Sequence, residues 1–311
     1  MHLHKLMYQF KVLVEYETFT AASEYLCISQ PTLTQNIKRL EQALDTPLLV
    51  RNGKVLTKTV FGESLYKHAC LLDKSYSQAL DELEHIKNHQ RKTLMIECGY
   101  GWSHGQLMIL LQDYIKQHPD IKIVINNSNS VDSQSKLIKG QCDIALGAIP
   151  SSDSRDKAIH YLPIYKTRFS LFCSSEHPFA QLTQVSNQQL EHRDWIVLKH
   201  SGEGKEHKDP LLFPFKPNSV RFEVHSVTNA ISLLSVSQCV MALPEPLHDE
   251  AIRKGLVELK TVFQCPVYDT GIMYTDDALL LAHKKEMIES IMKYQNKLGV
   301  NIWYPPHDPT G

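Results

Sequence analysis

The chain has 311 residues, about twice the usual size of one domain, so we expect at least two folding units. Hydrophobic residues make up 42% and charged residues 22%, a composition that excludes a disordered or fibrous protein. The formal net charge of -1 excludes a global attraction to polyanions, so any contact with nucleic acid has to come from a local basic patch. The sequence contains no run of about 18 apolar residues and no secretory signal, and we therefore expect a cytoplasmic protein with no membrane partner.

Residues 6–44 predict three short helices, because apolar side chains recur there at helical spacing. Thr18 or Thr20 can cap the second helix. Ser29 can cap the third, and Pro31 is tolerated in its first turn. The capping residues therefore separate the three helices.

The third helix begins with a dense polar face that has no core role. Such a face suits the major groove of DNA, since a Gln amide can bond adenine bidentately, Thr can contact a base or a phosphate, and a Pro ring can touch a thymine methyl. A surface helix that is polar by chance is the alternative. We assign contacts with double-stranded DNA to Ser29, Gln30, Pro31, Thr32, Thr34 and Gln35 on this face, and phosphate contacts to Lys38, Arg39, Arg51, Lys54 and Lys58 around it.

Two short apolar runs then flank Asn52 and Gly53, the strongest local signal for a type I′ hairpin, which predicts a small wing. Residues 1–60 carry seven Lys and Arg against five Asp and Glu, a net charge of +2. One copy of this module should bind DNA weakly, because electrostatic affinity grows with the number of phosphate contacts. Two joined copies would make more phosphate contacts and bind DNA with higher affinity.

A long helix is predicted over 62–88, with a length of about 40 Å. Two series of residues with a spacing of seven occupy the a and d positions of a heptad pattern. An apolar seam of this length has to be buried, most simply against its own copy in a dimer, and packing on another domain is the alternative. The two series are Leu65, Leu72, Ala79 and Ile86, and Ala69, Tyr76 and Leu83.

Beyond residue 91 strands and helices alternate, which predicts an α/β fold with parallel strands, divided into two small lobes with a cleft between them. Strands are predicted at 93–98, 121–126, 143–147, 168–173, 195–198, 221–224, 240–243 and 269–274, and helices at 106–117, 133–139, 230–236 and 279–298. We place a DNA-binding domain at 1–58, a linker helix at 59–90 and the two-lobed domain at 91–311. Lobe I then comprises 91–165 and 269–303, and lobe II comprises 166–268.

Several motifs in these segments occur together in one known protein family. They are Phe19-Thr20-Ala21-Ala22, Ser29-Gln30-Pro31, Pro47-Leu48-Leu49-Val50-Arg51, Thr59 with Gly62, His177-Pro178 and Ala242-Leu243-Pro244. In them the chain resembles the LysR-type bacterial transcriptional regulators over essentially its whole length. Departures occur at Ser237 and Cys239, where the family commonly has glycine, and at Lys58, where the wing usually has Leu.

The resemblance implies a winged helix-turn-helix, a dimerising linker helix and a two-lobed α/β effector-binding domain like that of periplasmic binding proteins, usually assembled as a tetramer. It also implies that Gln30, Pro31, Thr34 and Gln35 read bases, and that Arg51 places a cation near the adjacent minor groove. The expected target is an imperfect dyad site in double-stranded DNA, and an activator would also contact RNA polymerase.

Polar segments that precede helices in both lobes predict the effector site, because helix starts present free N–H groups and a positive dipole end. Small hydroxyls at such positions suit a small polar or anionic ligand, to which Trp102 would add an apolar contact. Ordinary helix caps are the alternative. The candidate residues are Trp102, Ser103, His104, Ser128, Asn129, Ser130, His200, Ser201 and Thr228.

Other functions find less support in the sequence. The 16 His include no HExxH motif and the seven Cys no CxxC pair, so we expect neither a metal nor a cofactor. A redox-sensing regulator that uses Cys173 and Cys239 remains an alternative. No nucleotide-binding loop or nucleophile elbow suggests an enzyme. A solute-binding protein without DNA activity is the last alternative, and its export would require a signal peptide.

Overall fold

The computed structural model describes residues 3–52, 55–88, 92–199 and 217–298. It divides the chain into two units, one comprising 1–92 with 138–141 and the other the remaining residues. The elements of the first unit are α1 (Leu3–Tyr16), α2 (Phe19–Tyr25), α3 (Gln30–Leu44), β1 (Leu49–Asn52), β2 (Val55–Lys58) and α4 (Val60–Asn88). The predicted short helices, hairpin and long helix are thus confirmed.

Each short helix turns one apolar face inward to a common core. Phe10, Leu13, Leu33 and Leu40 are fully buried there, and each is apolar, so their removal from water stabilises the arrangement. Thr18, of the two predicted alternatives, caps α2 by accepting a hydrogen bond from the amide of Ala21 at 3.2 Å. Helix α3 therefore packs on this core through its apolar face, and its opposite face points away from the core.

The junction between the hairpin and α4 depends on a close backbone approach. Thr59 caps α4, because its Oγ1 accepts a hydrogen bond from the amide of Gly62 at 3.0 Å and donates one to the carbonyl of Pro47 at 2.8 Å. A Cβ atom added to Gly62 would lie 2.0 Å from the carbonyl oxygen of Leu48. Only glycine fits there without a backbone shift.

Replacing Gly62 by Ala should lower the free energy of unfolding by up to about 2 kcal/mol, because an overpacking cost of about 1 to 3 kcal/mol is offset by a gain of only about 1 kcal/mol in helix propensity. Chemical denaturation followed by circular dichroism measures the change. Gly147→Ala is the matched control, since a Cβ atom there meets nothing within 4 Å. Equal stability of the two variants would contradict the role of Gly62.

The seam predicted along α4 divides into two parts. Leu65 packs against the core of the helix-turn-helix and Ala69 is buried within its own chain. From Leu72 onward the apolar residues are exposed, at a spacing that puts them on one side of the helix. These exposed residues, Leu72, Tyr76, Leu80 and Leu83, are called the α4 stripe. The side chain of Ile86 lies outside the described residues.

The second unit contains alternating strands and helices. The first half comprises β3 (Lys92–Cys98), α5 (Tyr100–Ser103), α6 (Gln106–Gln117), β4 (Ile121–Asn127), α7 (Ser130–Ile138), β5 (Ile144–Ala148) and β6 (His160–Thr167). The second half comprises β7 (Phe169–Ser174), α8 (Asn187–Glu191), β8 (Asp194–Leu198), β9 (Ser219–Val224), α9 (Val227–Ser235), β10 (Met241–Pro244), α10 (His248–Arg253), β11 (Leu256–Glu258), β12 (Tyr268–Tyr274) and α11 (Ala282–Leu298).

These strands fall into two lobes. Lobe I has one sheet in the order β4-β3-β5-β12-β6, and lobe II has the sheets β10-β7-β11 and β8-β9. The chain crosses from lobe I to lobe II at Arg168 and returns before Tyr268. The parallel pairing predicted for the first βαβαβ stretch is confirmed between β3 and β5. The complete sheet of lobe I is mixed, because β12 runs antiparallel to both of its neighbours, β5 and β6.

Several elements of the second unit were missing from the prediction, namely α5, α8, α10, β6 and β11. Strand β6 contains Pro163, which argues against a central strand, and the structure places β6 at the sheet edge where a proline is tolerated. Helices α7 and α9 each begin three residues before the predicted start. Among the described helices, none combines the length and apolar character needed to cross a membrane.

Candidate nucleic-acid interface and effector site

The outward face of α3 carries the residues assigned to base contacts. Gln30, Pro31 and Gln35 are exposed, whereas Leu33 and Ile37 on the opposite side are buried. The side chains of the two glutamines make no hydrogen bond to any residue that the structure describes. Both amides are therefore available for a bidentate contact with a base edge.

The hydroxyls at the start of α3 already have partners. Ser29 caps the helix by accepting a hydrogen bond from the amide of Thr32 at 3.3 Å, and the two hydroxyl oxygens lie 2.7 Å apart. Thr34 is half-buried, and its hydroxyl donates to the carbonyl of Gln30 at 3.0 Å. The glutamines therefore offer more free hydrogen-bonding capacity than Ser29, Thr32 or Thr34.

Two polar contacts fix the orientation of α3. The amide of Asn36 donates a hydrogen bond to Oε1 of Gln9 in α1 at 2.9 Å. Glu41 Oε1 accepts hydrogen bonds from the amides of Leu48 at 2.8 Å and Leu49 at 3.3 Å, which ties α3 to the start of the wing. This role of Glu41 could not be predicted, because its spacing from the wing in the sequence gives no signal of the contact.

The basic residues around α3 differ in their surroundings. Lys38 and Arg39 are exposed on the helix, one turn beyond Gln35. The ammonium of Lys58 lies 2.6 Å from a carboxylate oxygen of Glu63 and 4.5 Å from the centre of the Tyr66 ring. Because a carboxylate lies beside its ammonium, we expect Lys58 to contribute less to phosphate binding than Lys38 or Arg39. The side chain of Arg51 and the whole of Lys54 lie outside the described residues.

This difference predicts unequal salt effects on DNA binding. Arg39→Ala should reduce the slope of log affinity against log salt by about 1, the value for one lost phosphate contact. Lys58→Ala should change the slope by less than half of that, because Glu63 already neutralises the ammonium. Fluorescence anisotropy titrations at several salt concentrations measure both slopes, and equal reductions would contradict the assignment.

Among the effector candidates, Trp102 lies in the core of lobe I. Its side chain is 2% exposed, its indole N–H donates to Oγ1 of Thr270 at 2.7 Å, and its ring lies 5.2 Å from that of Tyr165. The expected apolar contact with a ligand is therefore corrected to a packing role. From the sequence alone, a single Trp beside a polar segment is compatible with either a ligand contact or a packing role.

Ser103 and His104 lie at the carboxyl end of α5 and come shortly before the start of α6 at Gln106. The hydroxyl of Ser103 donates to the carbonyl of Tyr100 at 3.2 Å and lies 3.0 Å from Nδ1 of His104. His104 is exposed. Helix α6 is preceded by Gly105, which provides no side-chain cap.

The candidates at the start of α7 are tied to neighbouring backbone. Asn129 caps the helix, because its Oδ1 accepts a hydrogen bond from the amide of Asp132 at 2.8 Å. Ser130 donates to the carbonyl of Ala148 at 2.7 Å, and Ser128 is buried, with its amide donating to the carbonyl of Cys98 at 2.9 Å. These contacts resemble ordinary capping, and they place the start of α7 beside the end of β3.

In lobe II the start of α9 is more open. Ser226 caps this helix, and Thr228 in its first turn is exposed. The other two candidates of lobe II, His200 and Ser201, lie outside the described residues. Of the hydroxyls assigned to the effector, Thr228 is thus the one with the most accessible side chain in the described part of the chain.

Comparison with known proteins identifies the family. Residues 4–63 match the model of the bacterial regulatory helix-turn-helix proteins of the lysR family, and residues 87–295 match the model of the LysR substrate binding domain. The chain belongs to the LysR family. It is a LysR-type DNA-binding transcriptional regulator with an effector-binding domain.

Similar LysR-type regulators include CysL of Bacillus subtilis, which is 27% identical over 205 residues, covering 65% of this chain and 67% of that protein. BenM of Acinetobacter baylyi is 26% identical over 253 residues, covering 78% of this chain and 80% of BenM. The crystal structure of full-length BenM matches 99% of this chain and 100% of that one with a TM-score of 0.51 and 21% identity.

A structure of full-length CbnR complexed with its target DNA also shows the same fold. It covers 93% of this LysR-type chain and 99% of CbnR, with a TM-score of 0.50 and 16% identity.

The cysteines of lobe II give this LysR-type regulator no exposed thiol pair. Cys173 and Cys239 are fully buried and belong to different hydrophobic clusters. Burial raises the pKa of the Cys173 thiol to about 11, so the thiol is protonated and unreactive at neutral pH. In the described part of the chain, no group of three or more His, Cys, Asp or Glu side chains could hold a metal ion.

Proposed function

We propose that this regulator reads an imperfect dyad site by inserting α3 into the major groove of each half-site. Gln30, Gln35 and Pro31 contact base edges, while Ser29, Thr32 and Thr34 shape the start of the helix and contact the adjacent backbone. Lys38 and Arg39, with Arg51 and Lys54 of the wing, meet phosphates. The observation that carries this proposal is the exposed, unengaged pair of glutamine amides on a helix whose opposite face is fully buried.

The proposal requires two copies of the DNA-binding domain. The net charge of +2 over residues 1–60 is small, and two of the lysines counted there have acidic partners, Lys11 with Glu15 and Asp73, and Lys58 with Glu63. The α4 stripe supplies an apolar face on which a second copy can pack. We therefore place dimerisation in the linker, at 59–90, between the domain at 1–58 and the two-lobed domain at 91–311.

We further propose that a small polar or anionic effector binds between the lobes, at the starts of α7 and α9. The amide of Ser128 bonds the carbonyl of Cys98, two residues before Tyr100, and the hydroxyl of Tyr100 reaches the carbonyl of His225, next to the cap of α9. The segment 98–100 therefore contacts the residues next to both helix starts. Asn129, Ser130 and Thr228 provide the polar groups there, with Ser103 and His104 nearby.

The effector acts by linkage. A ligand that prefers one arrangement of the lobes changes the packing of the two-lobed domains, and this packing sets the spacing of paired α3 helices on DNA. Assembly beyond the dimer, into a tetramer, and contact with RNA polymerase by an activator belong to the same proposal.

DNA binding is tested first, with the full-length chain and a duplex pool that contains a random segment. Enrichment of a sequence with dyad symmetry supports the proposal, and recovery of a random pool overturns it. Calorimetric titration with small carboxylic acids then tests the effector. Heat that disappears in Thr228→Val but not in the control Thr57→Val supports a site at α9, and absence of heat for every acid contradicts an anionic ligand.

A further inference from the structure

Tyr100 belongs to lobe I by sequence and to lobe II by packing. It opens α5, directly after β3 of the lobe I sheet. Its side chain is 6% exposed, yet the buried hydrophobic residues that cluster with it, among them Phe172, Ile196 and Val227, all come from lobe II. Trp102, two positions later in the same short helix, packs in the core of lobe I. One turn of helix thus inserts a side chain into each core.

The hydroxyl of Tyr100 adds polar contacts to this insertion. It lies 2.8 Å from the carbonyl oxygen of Lys199 and 3.0 Å from that of His225. These carbonyls directly follow β8 and β9, which are parallel neighbours, so their carboxyl ends meet at one edge of the sheet. Burial raises the pKa of Tyr100, which keeps the phenol protonated and able to donate.

The backbone around Tyr100 also lies close to lobe II. A Cβ atom added to Gly101 would lie 3.4 Å from Cβ of Pro244 and 3.6 Å from Cγ of Pro246. One added to Gly105 would lie 3.4 Å from Cβ of Pro246 and 2.8 Å from the carbonyl oxygen of Gly101. Glycines before and after the aromatic residues thus allow α5 to rest on the turn Glu245–Leu247 of lobe II.

We propose that Tyr100 is a latch that holds the two lobes closed when no effector is bound. The ring fills a place in the core of lobe II, and the hydroxyl contacts the ends of two of its strands. Separating the lobes therefore exposes apolar surface and breaks the polar contacts of the hydroxyl. This inference rests on the proposed effector site. An effector that acts by moving the lobes has to favour the state in which Tyr100 is released, since only differential affinity shifts the equilibrium.

Two variants of the full-length chain test the latch. Tyr100→Phe keeps the ring and removes the hydroxyl, and Tyr100→Ala removes both. Tyr114→Phe is the matched control, because the Tyr114 hydroxyl donates to the carbonyl of His283 at 2.6 Å within lobe I. Circular dichroism is recorded on every variant, and should Tyr100→Ala fail to fold, the Phe variant decides alone.

Hydrogen exchange is measured on Tyr100→Phe without effector. Amides of α5, and of lobe II around 194–199 and 222–227, should exchange about fivefold faster than in the wild type, the equilibrium effect of losing one ordinary hydrogen bond. Tyr114→Phe should leave the two segments of lobe II unchanged. Exchange of Tyr100→Phe at the wild-type rate in these segments overturns the latch.

Lobe separation is measured directly on Tyr100→Ala by electron spin resonance. Spin labels are placed through a non-natural amino acid at exposed Asp153 in lobe I and exposed Glu176 in lobe II, and labelled chains are diluted with unlabelled ones. A second, longer distance is expected in Tyr100→Ala and absent in the wild type. A wild-type distance distribution overturns the latch. Binding to the enriched duplex is recorded on the same samples, and its absence in the wild type would overturn the proposed function instead.

Discussion

Tyr76→Lys should weaken binding of the full-length chain to a duplex with two half-sites by about 100-fold, because joining two binding modules raises affinity by about 10² to 10⁴. Tyr76 belongs to the α4 stripe and is 65% exposed, so a charge there costs the single chain little stability. In a dimer the same charge would be buried against a second apolar stripe without a partner. The affinity of Tyr76→Lys for a duplex with a single half-site should differ from that of the wild type by less than about threefold.

Ser77→Lys is the matched control for Tyr76→Lys. Ser77 is exposed on the same helix and lies outside the α4 stripe. Sedimentation equilibrium should show a dimer or larger assembly for the wild type and Ser77→Lys, and a smaller species for Tyr76→Lys. An unchanged assembly and unchanged two-site affinity of Tyr76→Lys would show that the stripe does not join the copies.

Gln35→Ala should remove about 1 to 3 kcal/mol of the preference for the enriched duplex over a random one, the usual worth of a bidentate base contact. Gln35 is exposed near the middle of the outward face of α3, and the structure describes no side-chain hydrogen bond that it would lose. The folded state should therefore be unaffected. Competition binding with paired duplexes measures the preference, and thermal unfolding checks the fold.

Arg39→Ala separates base reading from simple attraction. A lost phosphate contact weakens cognate and random duplexes alike, so the ratio of the two affinities should stay constant while both fall. Gln35→Ala should change mainly the ratio. If both variants lowered the two affinities equally, α3 would not be the element that reads the sequence.

The helix-turn-helix could be predicted because local signals agree there. Helical spacing, a Thr cap, a Ser cap and a Pro in the first turn all mark the same boundaries, and α2 and α3 begin where these signals place them. The same spacing could not show which residues of α4 face their own chain. Ala69 and Tyr76 share one heptad series, yet Ala69 is buried and Tyr76 exposed, because packing around α4 changes along its length.

The effector site was harder to predict, because single residue types there fit several roles. Trp102 fits a ligand contact or a core, and only the contact with Thr270, distant in sequence, decides for the core. The contacts of Tyr100 could not be predicted from the sequence, because its partners Lys199 and His225 follow about a hundred residues later or more. Likewise, the pairing of Lys58 with Glu63 depends on the turn from β2 into α4.

The most direct test of DNA reading by paired α3 helices is the sequence enriched from random duplexes by the full-length wild type, sequenced beside the pool enriched by Gln35→Ala. We expect the wild type to enrich two related half-sites in inverted orientation, with centres about one or more helical turns apart. In the Gln35→Ala pool, one matching base position in each half-site should lose its preference. An enriched sequence without dyad symmetry, or identical pools from the two proteins, would contradict this function of α3.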